Sequence, residues 1–258
     1  MASEINKGYV RTETHNSITT IEFYHPQSNS LPRALLEELA REIHTSGRDN
    51  DTGVIVLRSA GEKTFCAGAS FDELATIQTP EKGFDFFSGF ATLINSIRTC
   101  PRMVIGRIHG RCVGGGVGLA AAVDYAIAHA NASVRLSELE IGMGPFVVGP
   151  AIERKIGLSA FSQLAIDASQ ERTAEWAHKR GLYAEVHAST EDLDEAVRRL
   201  ANRLVHSSRQ AIVELKKVMW SGTEDWDDLL RRRAEISGRL VLTQFTKDVL
   251  ARIRAKKV

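Results

Sequence analysis

The sequence predicts an α/β fold, a mostly parallel sheet flanked by helices, followed by a helical C-terminal region. Three observations carry that prediction. Short β-branched runs alternate with amphipathic helical stretches from Ser17 to about Ser159, the order expected when helices serve as crossovers between parallel strands. In the middle of that alternation a glycine run, VGGGVGLAAAVD (Val113–Asp124), opens what reads as a short helix. Beyond Ser159 the β signal fades, and the last fifty residues keep helical spacing down to a basic end, ARIRAKKV.

In chain order, SITTIEF (17–23) alternates and is β-branched, and so reads as a strand. HPQSNSLP breaks the chain, and Pro32 suits the first turn of a following helix. Leu35, Leu36, Leu39, Ala40 and Ile43 form the apolar stripe of that helix. GVIVLRS (53–59) is a buried-type strand, and GEKTFCAGASFDEL is a loop turning into a helix start. Thr79-Pro80 opens a helix with Phe84, Phe87, Ala91 and Ile94 on one side, ended by Pro101. MVIGRI (103–108), DYAIAHA and ASVRL read as further strands around the glycine run. Thr173–Arg180 reads as a helix stopped by Gly181, and 191–206 carries Leu193, Ala196, Val197, Leu200, Ala201 and Leu204 at helical spacing.

Composition narrows the functional classes. The chain has 258 residues, 43% hydrophobic and 25% charged, with a net charge of +1, which gives no electrostatic reason to expect nucleic acid. No apolar run reaches membrane-spanning length, and MASEINKGYV lacks the layout of a secretory signal. Cys66, Cys100 and Cys112 are odd in number and lack CxxC spacing, as reduced cytoplasmic thiols would. His129 and His178 have no partner at metal-ligand spacing, so no metal is expected.

The glycine run admits three readings. A phosphate-binding P-loop needs Lys-Ser/Thr after its last glycine, and Val117-Gly118-Leu119 occupies that region. Gly116, Gly118 and Ala121 satisfy a dinucleotide fingerprint, the mark of an NAD-dependent oxidoreductase. Yet five residues, His109–Val113, separate the strand from the glycines, and no acid ends the next strand. The third reading is a turn whose N–H groups, at a helix N-terminus, hold a developing oxyanion. Tight helix–sheet packing would explain the glycines equally well.

Two loops together carry a resemblance. TFCAGASFDEL (64–74) and GRIHGRCVGGGVGLAAAVDYAIA (106–128) resemble the crotonase family of enoyl-CoA hydratases and isomerases, with weaker support from HPQSNSLPRALLEEL, SELEIGMGP and AHKRGLYAEV. The resemblance implies a core of repeated ββα units over residues 1–200 and a helical trimerisation region over 201–258, in a homotrimer or hexamer. It implies an acyl-CoA thioester as substrate, with coenzyme A arriving as part of it and no separate cofactor. By motif match Ala67 and Gly115 would supply the oxyanion-hole N–H groups. Cys66, Gly68, Ala69, Ser70 and Gly114 would contact the substrate and its CoA. Glu138, in SELEIG, would be the catalytic acid/base.

One departure bears on the reaction type. Hydratases of this family carry a second glutamate two positions after the glycine triplet, and here that position is Gly118. A single carboxylate can shuttle a proton between two carbons, so one base suits double-bond isomerisation, while hydration would need another acid. Glu140 is the foremost candidate, since an extended segment would aim it with Glu138. Asp72 and Glu73 read as acids at a helix start, and Asp124 as structural. GMGPFVVGP, with Phe146 and two valines, implies a reshaped, apolar acyl pocket. The expectation is therefore an enoyl-CoA hydratase or isomerase, including one for a branched substrate such as methylglutaconyl-CoA, or a decarboxylase of the same family. A non-catalytic acyl-CoA-binding homologue is the alternative.

Overall fold

A computed structural model describes residues 8–255; the first residues of MASEINKGYV and the last three of the basic tail lie outside it. Strands β1 (Tyr9–His15) and β2 (Ile18–Tyr24) form an antiparallel hairpin and lead into helix α1 (Arg33–Arg48). Three units of two strands and a helix follow. The first is β3 (Val54–Ser59), β4 (Thr64–Cys66), α2 (Phe71–Leu74) and α3 (Pro80–Thr99). The second is β5 (Val104–Ile108), β6 (Arg111–Val113) and α4 (Gly115–Ala122). The third is β7 (Tyr125–His129), β8 (Ser133–Arg135), a 3-10 turn (Glu138–Ile141) and α5 (Gly149–Ile166).

In each unit the first strand joins one sheet and the second strand joins another. β9 (Arg172–Thr173), α6 (Ala174–Lys179) and β10 (Glu185–His187) complete them. The larger sheet runs β1-β2-β3-β5-β7-β10 and the smaller β4-β6-β8-β9. The pairs β2–β3, β3–β5, β5–β7 and β7–β10 are all parallel. The expected α/β fold with a mostly parallel sheet is therefore observed.

Burial explains why these stretches become these elements. Val54–Leu57 is buried at every position, as a central parallel strand covered on both faces must be. The predicted stripe of α1, Leu35, Leu36, Leu39, Ala40 and Ile43, is buried in full. One core lies between the sheets and α1, α3 and α4, with Ile21, Phe23, Leu57, Phe65 and Phe90 among its members. A second joins Val54, Val56, Ile105 and Ile127 to Leu193 and Ala196 of α7 (Thr190–Val205). Residue 200, the expected end of the core, falls within α7, and Ala201 packs in that same second core.

The strand signal missed β1, β4, β6, β9 and β10. β6, β9 and β10 have two or three residues each, too short for a periodic pattern to show. β6 fills part of the His109–Val113 gap before the glycines, so the turn does not follow β5 directly as a dinucleotide fold requires.

Two features fix the frame around the site. Asp124 follows α4, and its Oδ2 accepts from the Val104 N–H at 2.7 Å and from Lys216 Nζ at 2.8 Å, while Oδ1 accepts from Trp220 Nε1 at 3.0 Å. This buried knot ties the large sheet to α8 (Arg209–Met219); Asp124 is structural, as read from the sequence. Helix α9 (Trp226–Leu240) crosses α3 with backbone nearly touching: a Cβ on Gly83 would lie 2.6 Å from the Gly238 carbonyl oxygen. Only paired glycines permit so close a crossing. α10 (Gln244–Ala255) ends the described chain.

Candidate active site

The glycine run forms the N-terminus of α4, and each of its glycines leaves room for a different neighbour. Gly114 sits at φ +53 and ψ −118, a conformation strained for any residue with a side chain. A Cβ there would lie 3.0 Å from Glu138 Oε1. At Gly115 it would strike the Phe90 ring at 2.3 Å, and at Gly116 the Cys66 carbonyl oxygen at 2.1 Å. The two sequence readings of this run, close packing and a backbone donor, are thus compatible. Space is needed at every one of these positions, and the first helical N–H, that of Gly115, has no acceptor among the described residues.

The loop from Cys66 to Ser70 lies against that turn because Gly68, at φ +81, leaves only 2.9 Å between its own Cβ position and the Gly115 nitrogen. Following its amides one by one corrects an expectation. The Ala67 N–H donates to the Ser28 carbonyl at 3.2 Å and the Ser70 N–H to the Leu31 carbonyl at 3.2 Å. The Gly68 N–H faces Cys66 Sγ at 3.4 Å. Ala69 alone keeps an N–H without an acceptor among the described residues. A free donor is what an oxyanion hole requires, and on this geometry Ala69, not Ala67, has one to offer beside Gly115.

Both alanines, with Gly114, Gly115 and Glu138, line a cavity of about 60 Å³. Its remaining wall is mostly apolar, including Phe87, Phe90, Met143, Val147 and Val148, with Ser137 and Ser237 as its hydroxyl-bearing residues. Cys66 and Ser70 are buried away from it. Burial pushes the Cys66 thiol up to about 12, and the Ser70 hydroxyl caps α2 by accepting from the Glu73 N–H at 3.4 Å. Ala67, Ala69 and Phe71 also line a second groove, formed with Gln27, Ser28 and Ser30 on the outer side of the loop.

Glu138 begins the 3-10 turn, which Gly142 closes in a left-handed conformation at φ +76. Its carboxyl is the one titratable side chain lining the cavity among the described residues. Glu138 Oε2 is buried with no hydrogen-bond partner among them. Loss of hydration disfavours the charged form, and burial pushes this carboxyl up to about 7. A group poised there can both accept and return a proton near neutral pH.

The other acids are engaged elsewhere. Glu140 is not a second acid of the site, because it is exposed and pairs with Arg135. The segment is a 3-10 turn and not a strand, so residues two apart point about 120° away from each other. Asp72 hydrogen-bonds Gln27, and Glu73 accepts from the Arg33 N–H at 2.8 Å. His129 accepts from the Asn131 N–H at 3.0 Å, and His178 Nδ1 lies 2.9 Å from the Tyr183 carbonyl oxygen. No group of three or more His, Cys, Asp or Glu among the described residues could hold a metal ion.

At Gly118 the structure adds what the sequence could not. A Cβ there would lie 2.4 Å from Val148 Cβ, so Val148 fills the space where a side chain at 118 would begin. Of the bulky residues in GMGPFVVGP, Val147 and Val148 reach the cavity, whereas Phe146 folds back over Gly144. Sequence reasoning also missed the roof. Ser237 of α9 lines the cavity, and α10 covers the 3-10 turn, with Phe245 and Thr246 against Gly142. The C-terminal helices thus close this chain's own site, a role that no motif in them signals.

Repeated ββα units wrapped by C-terminal helices are the crotonase fold. An enoyl-CoA hydratase from Bacillus halodurans superposes with a TM-score of 0.87 over 95% of this chain and 99% of that one, at 23% identity. One from Bacillus anthracis does so with a TM-score of 0.77 over 96% and 95%, at 25% identity. The chain belongs to the enoyl-CoA hydratase/isomerase family, whose model matches residues 13–248. It is similar to the short-chain-enoyl-CoA hydratase of Clostridium acetobutylicum, 27% identical over 98% of this chain and 97% of that one. It is also similar to the carnitinyl-CoA dehydratase of Escherichia coli, 30% identical over 81% and 79%. The protein is thus an enzyme of the hydratase/isomerase type, and no described helix is long and apolar enough to cross a membrane.

Proposed function

We propose that this enzyme moves the double bond of an enoyl-CoA thioester, using Glu138 as its single acid/base. The observation that carries the proposal is the pairing of a lone buried carboxyl with a valine in the space beside Gly118. In this reading the thioester oxygen accepts from the N–H groups of Gly115 and Ala69, each contributing about 3 kcal/mol to the transition state. The Glu138 carboxylate removes a proton from the α carbon of a 3-enoyl thioester. The electron pair moves onto the thioester oxygen as a dienolate, and the same carboxyl returns its proton to the γ carbon. Product and substrate are then isomers, and no water is consumed.

The wall beside Gly118 supports this course, because a nucleophilic water needs polar partners to be held and Val147 and Val148 offer none there. The raised, unpartnered carboxyl favours turnover over mere binding, since a binding pocket gains nothing from an unsatisfied acid. Coenzyme A would enter along the groove of Gln27, Ser28 and Ser30, as part of the substrate and without a further cofactor. Assembly as a trimer or a pair of trimers is the arrangement the family resemblance implies, and the odd cysteines without CxxC spacing accord with a reducing cytoplasm.

The test is to supply 3-enoyl-CoA and 2-enoyl-CoA esters in deuterated water and follow both products. Bond migration without hydration is the expected result. Hydration of the 2-enoyl ester at a comparable rate would overturn the single-base assignment.

A further inference from the structure

Leu74 has a second open space beside it. It lines both the cavity of about 60 Å³ and a groove of about 630 Å³ between residues 74–78 and helix α10. Leu74, at 2% exposure, is the wall the two have in common. The openings therefore stand in series: the outer groove shares Ala67, Ala69 and Phe71 with the cavity, and the inner groove shares Leu74 with it. α2, a single turn from Phe71 to Leu74, spans the distance between them.

The lining of the inner groove has two chemistries. Leu74, Ile77, Val241 and Leu250 give it an apolar floor. Its rim carries Gln78, Lys247 and Arg254. Lys247 and Arg254 are seven residues apart on α10, which puts them on one face, with Leu250 between them. Both are exposed, and neither has a carboxylate partner among the described residues. No acidic side chain among the described residues lines the groove.

We propose that the inner groove takes the distal part of the substrate's acyl chain, and that Lys247 and Arg254 bind an anionic group at its end. The substrate class is then an enoyl-CoA whose chain terminates in a carboxylate. A cavity one-tenth the size of its neighbour houses the reacting carbons, while the methylenes beyond them lie on Leu74, Ile77 and Leu250. The terminal carboxylate meets the two cations where the floor gives way to solvent. Gln78 offers an amide N–H from the opposite wall. This inference rests on the reading of the cavity as an enoyl-CoA site, but not on which reaction occurs there.

The phosphates of coenzyme A are a second source of anionic charge, so the test separates the two. Calorimetric titration of octanoyl-CoA and suberyl-CoA, equal in length and different only in the terminal carboxylate, reads binding without turnover. Suberyl-CoA is expected to bind about tenfold more tightly, as two partly solvated ion pairs allow. The double variant K247A/R254A should lose that preference while leaving octanoyl-CoA affinity within about twofold. Equal weakening of both ligands would assign the cations to CoA phosphates and overturn the proposal, as would equal affinity of the unaltered protein for both. If neither thioester binds, the reading of the cavity fails with it. If both bind and the 3-enoyl-CoA ester of the turnover assay is left unchanged, the reaction assignment alone fails.

Discussion

Gly118 and Val148 are complementary: the Cβ that any other residue would place at 118 falls 2.4 Å from the Cβ of Val148 and 2.5 Å from its Cγ1. Neither residue can be read alone. The glycine removes a carboxylate, and the valine occupies the vacated volume with methyl groups, so the loss is built into the packing of α4 on the start of α5.

It follows that G118E alone should not create a hydratase. Forcing a side chain into filled space costs about 1–3 kcal/mol, readable as a lower denaturation midpoint in urea. The pair G118E/V148G should recover much of that stability and gain hydration of a 2-enoyl-CoA. Hydration by the single variant would show that Val148 does not block the position.

Glu138 sets the pH behaviour. With its carboxyl raised to about 7 from an ordinary 4.5, activity that needs the carboxylate should rise through about pH 7. The sign for stability is opposite. The folded state keeps a proton that the unfolded chain releases, so this contribution is complete below 4.5 and is lost as pH rises to about 7. E138Q should remove that slope, stabilise the protein above pH 7 by about 1–3 kcal/mol, and lower kcat by about 10²–10⁴. A flat activity profile in the unaltered enzyme would count against Glu138.

The two alanines of the Cys66–Ser70 loop should separate under backbone chemistry. Replacing the amide nitrogen of residue 69 by an ester oxygen removes the free donor, and kcat should fall about 10²–10³-fold. The same exchange at residue 67 removes a bond to the Ser28 carbonyl and should cost about 1 kcal/mol of stability with little change in kcat. The reverse pattern would restore Ala67 to the site.

Asp124 and Lys216 offer a control far from chemistry. Their side chains are 3% and 4% exposed and meet at 2.8 Å. D124A leaves a buried ammonium without its counter-charge, a loss of about 3–5 kcal/mol. Thermal unfolding should register it, while any enzyme that remains folded keeps its KM.

Much of this was legible in the residues. The stripe of α1, the unbroken apolar run of β3 and the glycine run opening α4 each carry a local signal, because the hydrophobic period and the steric needs of a turn act over a few neighbours. The motif also singled out Glu138, which the structure places in the cavity lining. The sequence does not separate Ala67 from Ala69, because two alanines in one loop differ only in which amide a distant carbonyl satisfies, and Ser28 comes from another part of the chain.

What the sequence by itself determined is the order of elements, the turn geometry that demands glycine, and the absence of a carboxylate at 118. Only the tertiary structure decided that Val148 fills that absence, that Ala69 holds the free amide, and that α9 and α10 roof the site. It also decided that Lys247 and Arg254 line a groove that shares Leu74 with it. The division has one physical cause. Backbone preference and amphipathic pattern are local, whereas free volume, desolvation of a carboxyl and the satisfaction of a particular N–H depend on segments far apart in sequence.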